Sequence, residues 1–121
     1  MNPFHFSRKA VGIFLTAYYP NKTRFVDLLL DLQQQDIDFI EIGIPFSDPI
    51  ADGPMIQHSS DVALENGFSM SELFDVLDEL GTKLKHPLVL MGYGNQVLQF
   101  GIERFLQRSQ QAKIKALIFP D

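Results

Sequence analysis

The feature that most constrains this chain is the run Phe39-Ile40-Glu41-Ile42-Gly43-Ile44-Pro45-Phe46-Ser47-Asp48-Pro49-Ile50-Ala51-Asp52-Gly53-Pro54. Phe39, Ile40, Ile42 and Ile44 are apolar at both parities, which predicts a strand buried on both faces, as strands of a parallel sheet are. Glu41 lies inside the run. A carboxylate there loses its water, so its pKa is expected to rise unless something holds its charge. Gly43 and Pro45 then end the strand. The loop that follows is stiff and carries two more carboxylates, Asp48 and Asp52. An acid at the C-terminal end of a parallel strand, followed by such a loop, is where α/β enzymes place their chemistry.

The rest of the chain alternates strand and helix signals. Val11 to Thr16 is a short apolar run. Pro20-Asn21-Lys22-Thr23 is a turn in which Asn21 or Thr23 can cap a helix. Phe25, Leu28, Leu29 and Leu32 recur at helical spacing, so a helix is expected to about Gln35. Asp38 to Ile42 is the second strand. Ile56 to Asn66 reads as a helix closed by Gly67. Ser69 with Glu72 has the capping-box pattern ahead of Leu73, Phe74, Leu77 and Leu80, and Gly81 closes that helix. Pro87 to Met91 is a third strand, and Gly92-Tyr93-Gly94-Asn95 a strand-end loop. Ile102, Phe105 and Leu106 mark another helix, and Ala116 to Phe119 a fourth strand. Strand starts near residues 11, 38, 87 and 116 predict parallel strands joined by right-handed crossovers, with an extra helix in the second unit.

Composition narrows the class. The 121 residues suffice for one domain with a core. A hydrophobic fraction of 45% with 21% charged residues is that of a globular protein. The net charge of −5, without any basic run, argues against a nucleic-acid surface. With no cysteine there is no disulfide or thiolate nucleophile. No apolar run nears the roughly 18 residues of a membrane span, and the start of the chain has no signal-peptide pattern. A cytoplasmic protein is the expectation. His5, His58 and His86 are scattered without metal-ligand spacing and read as surface residues. Ser47 lies in no nucleophile elbow, and no glycine-rich phosphate loop is present.

Two architectures fit four βα units: a small open sheet with helices on both faces, or half of a (β/α)8 barrel, whose whole needs about 250 residues. Glu41 and Asp52 stand eleven residues apart, one at a strand end and one in the following loop, so they can face one pocket. Two carboxylates in different environments can divide proton transfer and charge stabilisation between them. The alternative is structural: Glu41 as a buried acid salt-bridged to a helix, and Asp52 as a turn residue before Gly53.

The string from Glu41 to Gln57, E-I-G-I-P-F-S-D-P-I-A-D-G-P-M-I-Q, resembles the signature of the tryptophan synthase alpha chain family. The similarity extends over Phe14-Leu15-Thr16-Ala17, Leu90-Met91-Gly92-Tyr93-Gly94-Asn95, Gly101-Ile102-Glu103-Arg104-Phe105-Leu106 and Leu117-Ile118-Phe119-Pro120-Asp121. It implies a (β/α)8 TIM barrel, with residues 1–121 as a single domain forming its first four β/α units. It implies a lyase of tryptophan biosynthesis, carrying out retro-aldol cleavage of indole-3-glycerol phosphate to indole and glyceraldehyde 3-phosphate. Glu41 matches the family's general acid/base, and Asp52 the acid that holds the indole N–H. Phe14, Met91 and Ile118 match indole-pocket positions, with barrel core as their other reading; Tyr93 lines that pocket or packs. Pro45, Asp48, Asn95 and Asp121 match positions facing or communicating with a beta chain; as bare residues the first three are turn formers. The family pairs two alpha with two beta chains. No cofactor is expected here, because the pyridoxal phosphate belongs to the beta chain.

The same resemblance marks departures. The loops after strands seven and eight that hold the substrate phosphate, and the closing loop after strand six, lie beyond these 121 residues. Little or no lyase activity is therefore expected of them alone, since a remote anchor positions the reacting centre. The alternative function is a catalytically incompetent alpha chain that only binds a beta chain. Strands one and four are expected to be unpaired edges that favour self-association. Tyr18-Tyr19 stand where the family usually has glycine and aspartate, and Gln96 where many members have proline. The helix that plugs the barrel bottom looks short or absent.

Overall fold

The computed structural model describes residues 8–47 and 52–120. Four strands, β1 (Gly12–Thr16), β2 (Phe39–Gly43), β3 (Leu88–Met91) and β4 (Ile114–Ile118), form one sheet in the order β1-β2-β3-β4. Every neighbouring pair is parallel. Five helices join them: α1 (Lys22–Leu32), α2 (Pro54–Glu65), α3 (Met70–Leu80), α4 (Gly94–Phe100) and α5 (Ile102–Gln111).

The expectation of two buried faces fails for one face of the sheet. Strand residues that join the helices' core are Leu15, Ala17, Ile40, Ile42, Ile44, Leu88, Leu90, Ile114 and Leu117. All share one parity by register. Residues of the other parity, such as Phe14, Phe39, Met91 and Ile118, stay outside that core. Ile40 and Ile42 are fully buried, while Phe39 and Glu41, which alternate with them, are only half-buried. Helices cover one side of the sheet, and the other is the concave face that only further strands would close.

Local sequence explains the helix boundaries. The Asn21 side chain accepts a hydrogen bond from the Arg24 N–H at 2.9 Å and starts α1, which buries Phe25 and Leu29 and ends at Leu32, earlier than Gln35. Pro54 begins α2 two residues before the expected Ile56, because a proline at the first helical position forfeits no hydrogen bond. Ser69 caps α3 by accepting from the Glu72 N–H at 3.3 Å. Helix α4 takes up Gly94 and Asn95, where the sequence predicts a strand-end loop. Its seven residues bury only Val97, too little for a periodic signal, and Gly101 at φ +105° separates it from α5. Strand β4 starts at Ile114, two residues early, and a register irregularity between Leu88 and Val89 places Lys115 off the ladder and hides the pattern.

Buried polar groups tie the layers together. Gln33, 7% exposed, accepts from the Lys85 and His86 N–H groups at 2.6 and 3.0 Å and donates to the Leu29 carbonyl at 2.9 Å. It joins the end of α1 to the entry of β3. Arg108 of α5 bridges Asp75 and Asp78 of α3 at 2.8 and 3.2 Å and lies over the Phe74 ring. His86 is half-buried, its Nε2 3.1 Å from the Gln35 carbonyl, so it is less of a surface residue than expected, whereas His58 is exposed. His5 and any plugging helix in residues 1–7 fall outside the described residues.

Tyr18 sits at φ +64°, a conformation that strains any side chain with a Cβ. That constraint favours glycine at this position. In this chain the ring is 1% exposed, meets Phe68 edge-on at 5.3 Å, and its hydroxyl donates to Glu72 Oε1 at 2.5 Å. Glu72 also pairs with Lys22 at 3.1 Å. Burial, then the Glu72 carboxylate, pushes the tyrosine pKa up. Aromatic packing and this bond offset the backbone strain and tie the β1 loop to α3. Tyr18→Phe is expected to lower the unfolding free energy by about 1 kcal/mol, read from urea denaturation. An unchanged midpoint would show that the hydroxyl contributes nothing.

Candidate active site

Register places the candidate residues. Phe14 of β1 lies beside Glu41 of β2, and Glu41 beside Val89 of β3. One step toward the strand ends, Gly43, Met91 and Ile118 lie side by side. In a parallel sheet neighbours in register project to the same face, so Phe14, Glu41, Met91 and Ile118 share the concave face near the C-terminal strand ends.

Two glycines make room there. A Cβ at Gly43 would lie 2.5 Å from Phe14 Cζ, and one at Gly12 would lie 2.1 Å from Phe39 Cζ. The two phenyl rings therefore lie across the sheet over neighbouring glycines. Phe14 comes to rest directly beyond Glu41 on the same face. Burial raises the Glu41 pKa above its ordinary value of 4.5. Among the described residues no ion pair holds Glu41, so the reading of it as a salt-bridged structural acid finds no support.

Asp52 is half-buried immediately before α2, whose cap is Gly53, and its carbonyl accepts from Gln57 Nε2 at 2.8 Å. Helix α2 buries Ser59, Ser60 and Ala63, small residues that permit close approach, and the Ser59 and Thr16 hydroxyls meet at 2.7 Å. The helix that begins beside Asp52 is thus docked on the end of β1. Between them lies a groove of about 570 Å3 whose lining includes Phe14, Tyr19, Met55, Ile56 and Ser59. Thr16, Met55, Ile56 and Ser59 were not singled out from sequence. The available signal was Pro54 as a helix start, which puts Ile56 in the first turn of α2. A separate concavity of about 480 Å3, lined by Asp78, Lys85, His86 and Lys113, lies at the opposite ends of the strands.

The β2 and β3 loops meet through Gln96. Gln96 accepts from the Tyr93 N–H at 3.0 Å through Oε1 and donates from Nε2 to the Pro45 carbonyl at 2.6 Å. Tyr93 is buried and stacks on Phe46 at 5.0 Å, which is packing rather than exposure to the groove. Pro45 is also buried, whereas Asn95 is exposed in the first turn of α4. Asp48 and Asp121 fall outside the described residues.

Two measurements follow from this geometry. A raised carboxyl pKa means that the folded state binds a proton more tightly than the unfolded chain, so Glu41 lowers stability as pH rises through the interval above 4.5. Glu41→Gln is therefore expected to gain stability over the wild type at about pH 7 relative to about pH 4, by urea midpoints; equal differences at both pH values would contradict the burial. Gly43→Ala is expected to displace the Phe14 ring at a cost of roughly 1–3 kcal/mol, in the same assay.

The model of the tryptophan synthase alpha chain family matches residues 5–121. The alpha chain of Christiangramia forsetii is 47% identical over 113 residues, covering 93% of this chain and 44% of that protein. That of Flavobacterium psychrophilum is 46% identical, covering 94% and 45%. Among solved structures, tryptophan synthase from M. tuberculosis in its aminoacrylate-bound form superposes with a TM-score of 0.87 at 31% identity, covering 94% of this chain and 46% of that one. The tryptophan synthase complex from Pyrococcus furiosus gives 0.85 at 38% identity, covering 93% and 46%. The chain spans less than half the length of these relatives, and its sheet corresponds to the first half of their barrel. On these matches, this chain belongs to the tryptophan synthase alpha chain family.

Proposed function

We propose that residues 1–121 are one domain, the N-terminal half of a lyase barrel that cleaves indole-3-glycerol phosphate to indole and glyceraldehyde 3-phosphate. The observation that carries this reading is the shared concave face of Glu41 and Phe14, adjacent in register with nothing between them. Cleavage needs a proton delivered to indole carbon 3, loss of the proton from the glycerol hydroxyl next to the breaking bond, and stabilisation of the indole N–H as positive charge develops. The electron pair of the breaking carbon–carbon bond passes to the protonated ring, and the aldehyde leaves. No oxidant, reductant or cofactor enters the balance. Glu41, with its pKa raised by burial, is suited to give and take a proton. Asp52 is the acceptor for the indole N–H. Phe14, Met91 and Ile118 form the apolar wall, and Ile56 of the α2 first turn extends it.

A beta chain is the proposed partner. The exposed Asn95 and the β2 loop tied to it through Gln96 and Pro45 lie at the same rim as the carboxylates. A second reading keeps the partner and drops the chemistry. It is favoured by the lining of the 570 Å3 groove, which includes neither Glu41 nor Asp52.

A chimera separates the two. Residues 5–121 replace the matching stretch of the Christiangramia forsetii alpha chain, and indole release is measured with and without a beta chain. Turnover is expected, with Glu41→Gln lowering it by roughly 10²–10⁴-fold and Asp52→Asn also reducing it. A chimera that folds and binds the beta chain but releases no indole would support the binding-only reading. Activity indifferent to Glu41→Gln would remove the acid/base assignment.

A further inference from the structure

Strands β2 and β3 part at their C-terminal ends, and a side chain carries their connection on. The last backbone bond runs from the Ile44 N–H to the Met91 carbonyl at 2.8 Å. With Gly43 beside Met91, parallel register would next send the Tyr93 N–H toward the Ile44 carbonyl. The Tyr93 N–H donates to Gln96 Oε1 at 3.0 Å. Pro45 has no N–H to offer, and its carbonyl accepts from Gln96 Nε2 at 2.6 Å. One carboxamide thus accepts from the β3 loop and donates to the β2 loop, as an inserted peptide group would. Gly92 makes the space: a Cβ there would lie 3.0 Å from Ile44 Cδ1 and 3.4 Å from Gln96 Oε1. Phe46 stacks on the buried Tyr93 beside the bridge, with ring centroids 5.0 Å apart. All of these residues belong to β2, β3, the loops that follow them or α4, so no edge of the sheet enters the arrangement.

The bridge falls between the two acids of the candidate site. Glu41 precedes Pro45 on β2, and Asp52 follows it on the same loop. We infer that Gln96 is a positioning residue: its carboxamide sets how the β2 loop leaves the sheet and, through Pro45, where Asp52 stands relative to Glu41. The catalytic consequence rests on the lyase reading proposed above. The bridge makes a strict chemical demand, because the group at position 96 must accept and donate at once. Glutamine does both. A methionine of similar length does neither well. A carboxylate accepts from the Tyr93 N–H but turns a lone pair on the Pro45 carbonyl, and only its protonated form can donate. Beside Gln96 lies a concavity of about 360 Å3 whose lining includes Phe46, Leu64, Met70 and Phe100. Among the described residues that lining holds no carboxylate, amine or imidazole. A carboxyl introduced at this half-buried position would therefore hold its proton to higher pH than a solvated one.

The test uses the full-length chimera described above as parent, with Gln96→Met and Gln96→Glu. Indole release gives kcat and KM from about pH 8.5 to about pH 5.5, each variant taken as a ratio to the parent so that titration of Glu41 and Asp52 cancels. Nuclear magnetic resonance follows amide exchange at Tyr93 and the amide shifts of Asp52 and Gly53. Gln96→Met is expected to lower kcat roughly tenfold or more, with KM changed less, because a small misplacement of a reacting group is costly. Its Tyr93 amide should exchange faster, and the Asp52 and Gly53 signals should move. Gln96→Glu should match Gln96→Met at the alkaline end and recover toward the parent as pH falls. A general loss of packing would instead lower both variants alike at every pH. Unchanged kcat or unmoved Asp52 and Gly53 signals in Gln96→Met would overturn the proposal, as would a Gln96→Glu ratio that stays flat or falls with acid. If the parent releases no indole, the lyase reading fails on its own. The Asp52 and Gly53 signals of Gln96→Met then decide the bridge, supporting it if they move and overturning it if they do not.

Discussion

A strand in a parallel sheet spends its backbone on two neighbours and its side chains on two faces, and this chain supplies helices for only one face. Everything else in the molecule follows from that imbalance. Ile40, Ile42 and Ile44 meet Leu29, Leu73, Phe74 and Leu77 in a continuous core. The opposite parity, which in a closed barrel would be the tightest-packed part, is held by aromatic rings laid across glycines. Phe39 over Gly12 and Phe14 over Gly43 are what this half offers in place of a second layer of strands. Phe39 and Glu41 on that face stay half-buried as a result.

The same face is where a carboxylate can do chemistry. Glu41 is neither solvated like a surface acid nor neutralised by a cation among the described residues, and its proton affinity is set by partial burial. Its position depends on β2 being an interior strand, pinned by parallel registers on both sides. The rim above it is built from short-range devices: the α2 start at Pro54, the Thr16–Ser59 hydroxyl contact, and the Gln96 bridge between the β2 and β3 loops. Tyr18 shows how such a rim tolerates divergence. A position that favours glycine by its backbone carries a tyrosine here because the ring is buried and its hydroxyl finds Glu72.

Much of this was legible in the residues. The four strands, four of the five helices, the Asn21 and Ser69 caps and the strand-end placement of Glu41 all follow from periodicity and capping chemistry. What escaped has physical reasons. Helix α4 buries one residue and opens with glycine, so it leaves no periodic trace. The irregular register at β4 disguises its start. A run apolar at both parities is identical whether both faces are buried or one awaits a partner, so β2 could not reveal its half-open face. Glu72 gave a capping-box signal, yet its side chain serves Tyr18 and Lys22 instead. That contact joins residues 54 positions apart, and no local pattern encodes it.

The claim on which the rest turns is that this chain by itself shapes the face around Glu41. Titration of the Glu41 carboxyl carbon by 13C nuclear magnetic resonance, in the folded 121-residue chain, tests it most directly. A midpoint above 4.5 is the predicted result and would show a desolvated acid on an assembled face. A midpoint at or below that value would mean a solvated or ion-paired carboxylate, and would contradict both the site geometry and the acid/base role drawn from it.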